Sequence, residues 1–276
     1  MTPATGPGID VTDLTVRFQG NVAVNSVSLS APMGRLTGLI GPNGAGKTTT
    51  FNACSGLLRP DEGRIALFGS DVTRRGPAVR ARRGLGRTFQ RMELFTSMTV
   101  AENVALGREA RLAGSNPLWQ QVSPPGRRQT VRAATAEALE LCGITGLADR
   151  TVENLSTGQR RLVELARVYA GDFRLLLLDE PSSGLDHAES ERFGAILRSL
   201  VDERGVGILL VEHDMALVMN VCDDLYVLDF GRLVFHGTPA ETQRSPIVRA
   251  AYLGAEELLE MADASPVAGA AGGEGS

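Results

Sequence analysis

The sequence predicts an α/β fold: a mostly parallel core sheet with an N-terminal antiparallel β region and an inserted α-helical subdomain. Three observations predict it. Short apolar runs at Arg174–Leu178, Val206–Val211 and Leu225–Leu228 alternate with helical stretches, the pattern of crossover-linked parallel strands. Apolar and polar residues often alternate through Val11–Leu29, as in half-buried strands. From about 90 to 170 the strand pattern gives way to a mostly helical block, interrupted by prolines.

Along the chain, Leu14, Val16 and Phe18, then Val22, Val24, Val27 and Leu29, form two strands about a turn at Gln19-Gly20. Arg35–Ile40 is a short buried strand, followed by a glycine-rich loop and a helix from about Lys47 to Cys54. Pro60-Asp61-Glu62-Gly63 is a turn before a strand at Arg64–Phe68. Thr99-Val100-Ala101-Glu102 has the Thr-x-x-Glu spacing in which two side chains cap each other's backbone, so a helix opens there. Pro117, Pro124 and Pro125 break Gly114–Gly126, and an alanine-rich helix runs from about Arg128 to Cys142. Phe193, Ile196, Leu197, Leu200 and Val201 share one helical face, with Gly205 placed to end that helix. One domain is expected over residues 1–261, the helical subdomain at about 90–170 being inserted in its core. Residues 262–276 are mostly Ala and Gly, with almost no large apolar group, and are expected to be disordered.

The chain has 276 residues, 43% hydrophobic and 22% charged, enough to bury a core and too apolar for wholesale disorder. Its net charge of −4 argues against nucleic acid as a partner through a general basic face. The cluster Arg80, Arg82, Arg83, Arg87 and Arg91 reads as a solvated face. No apolar run approaches the ~18–20 residues of a membrane-spanning helix, and Met1–Asp10 lacks the basic and apolar regions of a signal peptide. Cys54, Cys142 and Cys222 are far apart and odd in number, so reduced core thiols in the cytosol are expected. Any work at a membrane then runs through other polypeptides.

Gly41-Pro42-Asn43-Gly44-Ala45-Gly46-Lys47-Thr48 fits G-x-x-x-x-G-K-[ST] in full, between an apolar strand and a helix. Glycines there let backbone N–H groups wrap a phosphate without Cβ clashes, and the helix N-terminus adds partial positive charge. Lys47 can reach the β- and γ-phosphates of a nucleotide, Thr48 can ligate Mg2+, and Thr49 lies beside it in the first turn. Leu175–Leu178 is a buried strand from whose C-terminal end Asp179 and Glu180 emerge, the end at which parallel sheets bind ligands. Asp179 is the candidate Mg2+ holder, and Glu180 the candidate acceptor for a water aimed at the γ-phosphate. His213 follows the strand Val206–Val211 at the same sheet edge. Gln90, after Arg87-Thr88-Phe89, carries little by itself.

Leu155-Ser156-Thr157-Gly158-Gln159 closely resembles the signature motif of ATP-binding cassette (ABC) ATPases, a P-loop NTPase family. Most of the chain is similar to that family, in motif order and spacing. Phe18 stands where the family stacks an aromatic on adenine, and Gln90 at its Q-loop. Ser183-Gly184-Leu185-Asp186 stands at its D-loop, and His213 at its switch histidine. The resemblance implies ATP and Mg2+ as cofactors, with Thr48, Gln90 and Asp179 about the metal. It implies catalysis by Glu180, His213, Lys47 and Gln90. It also implies nucleotide contacts from Ser156, Thr157, Gly158, Gln159 and Asp186 that serve a second ATPase subunit, packed head to tail. Thr157 replaces the commoner Gly, so its branched Cβ is expected to face the phosphate region and to be tolerated there.

A narrower resemblance, to the importer ATPases for branched-chain amino acids, rests on several stretches. They are Gly86–Gln90, Leu94-Phe95, Met98-Thr99-Val100, Glu212-His213-Asp214-Met215, Leu217-Val218-Met219 and Ala251-Tyr252-Leu253-Gly254. It implies transmembrane permease subunits as partners, an extracytoplasmic substrate-binding protein indirectly, and a place on the cytoplasmic face of the membrane. Phe89, Met92, Leu94, Phe95 and Met98 are candidates for the groove that receives a permease helix. Cassettes for urea, other amides or lipids share every ATP motif. Non-transport cassettes carry long coiled coils or paired cassettes that this sequence lacks.

Overall fold

A computed structural model describes residues 6–88, 94–113 and 126–252. Its elements in order are β1 (Ile9–Phe18), β2 (Asn21–Ala31), β3 (Leu36–Ile40), α1 (Lys47–Ser55), β4 (Glu62–Leu67), β5 (Ser70–Asp71), α2 (Pro77–Arg83) and β6 (Leu85–Arg87). Then come α3 (Val100–Ala113), α4 (Arg127–Leu141), α5 (Thr157–Ala170), β7 (Leu175–Asp179) and α6 (His187–Arg204). The chain continues through β8 (Gly207–Val211), α7 (Met215–Val221), β9 (Asp224–Asp229), β10 (Arg232–Gly237) and α8 (Pro239–Arg244).

Two sheets form, one of four strands ordered β2-β1-β4-β5 and one of six ordered β10-β9-β3-β8-β7-β6. The first is antiparallel throughout. In the second, every pairing from β9 through β6 is parallel, and β10 alone runs antiparallel. The three central strands, Leu-Thr-Gly-Leu-Ile, Leu-Leu-Leu-Leu-Asp and Gly-Ile-Leu-Leu-Val, are buried at all fifteen positions. That explains their continuous apolar character, since a strand covered on both faces has no solvent side to alternate with.

The strand period of two sorts these residues into two cores. Leu36, Ile40, Leu176, Leu178, Ile208 and Leu210 face the helices α3, α5, α6 and α7. Leu39, Leu175, Leu177, Leu209 and Val211 face α1 and the antiparallel sheet, meeting Phe51, Val16 and Leu67. The parallel sheet is therefore the middle layer, and its C-terminal edge lies between two rigid faces. Helices α3, α4 and α5, inserted in sequence between β6 and β7, pack on one another. At Gly107 the backbones approach so closely that an added Cβ would lie 1.9 Å from the Arg167 carbonyl oxygen. Thr99 and Glu102 form the predicted reciprocal cap, with Thr99 N–H donating to Glu102 Oε2 (2.8 Å) and Glu102 N–H to Thr99 Oγ1 (3.2 Å).

Some expectations need correction. β4 begins at Glu62, inside the anticipated turn, because Thr15 pairs with Glu62 and draws that residue into the sheet. Pattern reading passed over β6, β10, α2, α7 and α8, all seven residues or shorter, in which periodicity has too few repeats to register. The arginine cluster is not uniformly solvated: Arg82 and Arg83 are exposed, Arg87 is half-buried, and Arg80 is fully buried. The loop expected at Gly114–Gly126 lies outside the described residues except for Gly126, and the tail 262–276 lies outside them entirely. Among the described residues no helix is long and apolar enough to cross a membrane. The three cysteines are buried and free.

Candidate functional site

Helix α1 is unusual as a sequence: Lys-Thr-Thr-Thr-Phe-Asn-Ala-Cys-Ser has three consecutive β-branched residues and no apolar stripe. Its surroundings make it a helix. At the N-terminus, Gly46 caps it at φ 95° with no side-chain hydrogen bond, leaving the first amides without a side-chain acceptor. Gly46 is required for a second reason, since an added Cβ would lie 2.7 Å from the Ala23 carbonyl oxygen. At the C-terminus, Arg80 donates through Nη1 to Ala53 O (2.7 Å) and Cys54 O (2.6 Å), and through Nη2 to Val72 O (2.8 Å). A buried cation thus satisfies the last carbonyls and opposes the negative end of the helix dipole.

Lys47 bends back into the loop and donates from Nζ to Gly41 O (2.6 Å) and Pro42 O (3.0 Å). Burial lowers its pKa, while the carboxylates of Glu180 and Asp179 act the other way. Asn43, Gly44 and Thr48 are exposed, Pro42 and Thr49 half-buried, and Ala45 buried. Phe18, at the end of β1, is 48% exposed, an aromatic face open to a planar ligand.

β7 delivers two carboxylates with different surroundings. Asp179 is buried; its N–H donates to Thr88 Oγ1 (3.3 Å), and Arg87 Nη2 lies 3.6 Å from its Oδ2. Burial pushes its carboxyl up to about 6; Arg87 opposes the shift, and Glu180 and Glu212 add to it. Arg87 also donates to Ser55 Oγ (2.5 Å) and Asn52 Oδ1 (2.8 Å), linking α1 to the end of β7. Glu180 stands at φ 47°, a left-handed conformation that costs a non-glycine residue about 1–3 kcal/mol. It is held there by its N–H bond to Val211 O (2.8 Å). His213, after β8, places Nδ1 4.0 Å from Glu180 Oε1, and its ring is 63% exposed.

Ser156 is the N-cap of α5. Its Oγ accepts the Gln159 N–H (3.2 Å), and its own N–H donates to Gln159 Oε1 (3.1 Å). This leaves the Ser156 O–H as a donor toward solvent. Gly158 packs on α6, where an added Cβ would lie 2.2 Å from Glu189 Oε1. Glu189 and Asp186 form another reciprocal cap at the start of α6, so the Asp186 carboxylate accepts the Glu189 N–H at 2.8 Å. The Thr157 methyl group lies against Gly184, where an added Cβ would be 3.1 Å away.

The fold therefore gathers Lys47, Asp179, Glu180 and His213 at the C-terminal ends of β3, β7 and β8, and builds 156–159 against residues 184 and 189. Gln90, Phe89 and Met92 lie outside the described residues. Of the remaining groove candidates, Phe95 is exposed, Met98 is half-buried, and Leu94 packs on the helical core. Sequence reading missed Arg80 and the bridging role of Arg87, because nothing in an arginine cluster tells which member turns inward.

The oxygen donors Thr48 and Asp179 suit a hard divalent cation, and the penalty on the charged form of Asp179 is one that such a cation relieves. Among the described residues, no group of three His, Cys, Asp or Glu could hold a metal by itself. The remaining ligands would come from phosphate and water.

The family model described as ABC transporter matches residues 24–183. The high-affinity branched-chain amino acid transport ATP-binding protein BraF of Pseudomonas aeruginosa is 39% identical over 251 residues, covering 90% of this chain and 98% of that protein. LivG of Escherichia coli, described in the same words, is 37% identical over 250 residues, with 90% and 98% covered. Among solved structures, the ADP conformation of MJ1267, an ATP-binding cassette of an ABC transporter, superimposes with a TM-score of 0.79 at 30% identity. That alignment covers 90% of this chain and 99% of that one. A nucleotide-free cassette from an ABC transporter gives 0.78 at 30% identity, covering 89% and 98%.

Proposed function

The chain belongs to the ABC transporter family, and from that premise we propose that it is the ATP-hydrolysing subunit of an importer for branched-chain or other hydrophobic amino acids. It works on the cytoplasmic face of the membrane through separate permease subunits, with an extracytoplasmic binding protein as an indirect partner. The observation that carries the reading is the convergence of Lys47, Asp179, Glu180 and His213 on one sheet edge, behind a glycine-lined helix N-terminus.

Phe18 stacks on the adenine, and the amides of 41–49 wrap the phosphates. On binding, Lys47 exchanges the carbonyls of Gly41 and Pro42 for phosphate oxygens. Thr48 and Asp179 would hold a magnesium ion, to which the resemblance adds Gln90, and the ion would supply neutralisation of phosphate charge. Glu180 orients a water in line with the γ-phosphorus and accepts its proton as the bond to ADP breaks; His213 steadies the γ-phosphate. Ser156, Thr157, Gly158 and Gln159, with Asp186, complete the site of a second subunit, so two nucleotides are enclosed between two cassettes. Closure is favoured because those contacts exist only in the closed pair.

Glu180→Gln tests the chemistry. It should retain ATP, run as a dimer in size exclusion with light scattering, and release phosphate at a small fraction of the normal rate. Normal turnover would refute the assignment. The substrate is tested by uptake of labelled leucine and labelled urea in vesicles holding this subunit, its permeases and the binding protein. ATP-dependent uptake of urea alone would move the protein to the amide importers.

A further inference from the structure

Glu212 directly follows β8, with its side chain wholly buried. A buried carboxylate must find donors, and this one finds backbone. Its Oε1 accepts the Ser182 N–H (2.8 Å), and its Oε2 accepts the His213 N–H (3.1 Å), with the Asp214 N–H at 3.5 Å. Such charge-assisted bonds are roughly twice as strong as neutral ones, and the buried setting keeps water from competing.

The donors lie in two different loops. Ser182 follows Glu180 by two residues, in a turn also closed by Ser183 N–H to Glu180 O (3.2 Å). His213 carries the ring that stands 4.0 Å from both Glu180 Oε1 and Glu212 Oε2. Asp214 continues the pattern: its Oδ1 accepts the Leu217 N–H that opens α7 (3.1 Å), and its Oδ2 accepts the Ser190 hydroxyl of α6 (3.3 Å). His213 thus sits between two carboxylates, each bonded to the 182–190 segment. An otherwise exposed imidazole has its backbone fixed from both sides.

We infer that Glu212 is a positioning residue for ATP hydrolysis, tying the turn that presents Glu180 and the loop that presents His213 to one buried anchor. This rests on the catalytic reading of Glu180 and His213 given above. The anchor also helps hold Glu180 at its left-handed φ, since a strained residue persists only where its surroundings over-determine it. The residue type follows from the donors. Two converging N–H groups need two acceptor oxygens, whereas an amide offers one and turns an NH2 group toward the other donor.

Glu212→Gln in the full chain is the test, with Glu212→Asp as the variant that keeps the charge but withdraws it by one methylene. In Glu212→Gln, turnover should fall roughly 10–100-fold, the scale of a misplacement near 1 Å, while ADP affinity stays within about twofold of the parent. Glu212→Asp should retain more activity. The chain has three histidines, so the His213 imidazole resonance is assigned by its loss in His213→Ala. In nucleotide-free protein that resonance should shift in Glu212→Gln while His187 and His236 stay in place. An unmoved His213 signal with unchanged turnover overturns the inference. So does an equal loss of ADP affinity and turnover with a collapsed thermal midpoint in both variants, which would make Glu212 a support of the fold alone. If the parent protein hydrolyses no ATP, the catalytic reading fails instead, and the His213 spectrum still decides whether the anchor exists.

Discussion

Two helix N-termini in this chain carry the candidate phosphate-binding chemistry, and they are finished in opposite ways. At α1 the cap is Gly46, with no side chain to satisfy the first amides, so the N–H groups are left open and an internal lysine fills the space. At α5 the cap is Ser156, reciprocally bonded to Gln159, so the helix is complete before any ligand arrives and one hydroxyl proton faces outward. The first is a cradle with unmet bonding capacity, the second a finished surface. An open cradle can take a ligand alone. A finished surface adds contacts to a ligand already held elsewhere, as a two-subunit sandwich requires.

The largest effect that could break this contrast is Lys47→Ala. Turnover should fall about 1,000-fold, the upper range for removing one preorganised charge donor, and ADP binding should weaken in the isolated subunit; phosphate release and equilibrium titration measure both. Ser156→Ala should instead leave ADP binding to the single subunit unchanged, yet lower turnover by about 100-fold and weaken ATP-dependent dimerisation in sedimentation runs. Equal loss of ADP affinity in both variants would erase the distinction. Asp179→Asn sharpens the cradle side. The folded carboxyl sits near 6, above the ordinary 3.8, so its charged form burdens the fold fully at neutral pH, and the burden shrinks as pH falls from 6 and is gone only below 3.8. The nucleotide-free variant should therefore melt a few degrees above the parent at pH 7.5, a gain that narrows as pH falls below 6 and disappears only below 3.8, with Mg-dependent turnover lost. Thr157→Gly should be the mildest: it gives up a methyl contact with Gly184, and a change in turnover beyond about threefold, or ~0.7 kcal/mol, would count against that placement.

The legible parts of the fold were those whose physics is local. The full P-loop spacing, the four leucines before Asp179 and the Thr-x-x-Glu cap at Thr99 each encode their geometry within a few residues. The boundary at Glu62 was not legible, because its strand character comes from pairing with Thr15. Arg80 was illegible for a related reason: five backbone oxygens from α1 and residues 72–75 converge on it only after folding. The approach of the Thr157 methyl group to Gly184 was likewise illegible, since it joins residues 27 positions apart. Glu212 lay in plain view beside His213, and only the Ser182 N–H gave it a task.

The lysine that donates to the Gly41 and Pro42 carbonyls gives the cradle an internal competitor for its own cation. Any incoming anion competes with an intramolecular ligand that is always at hand and needs no diffusion to return. A lone phosphate or sulfate has few contacts with which to win that contest, whereas a triphosphate anchored at its base and along its chain has many. Discrimination against simple anions is thereby partly written into the loop itself.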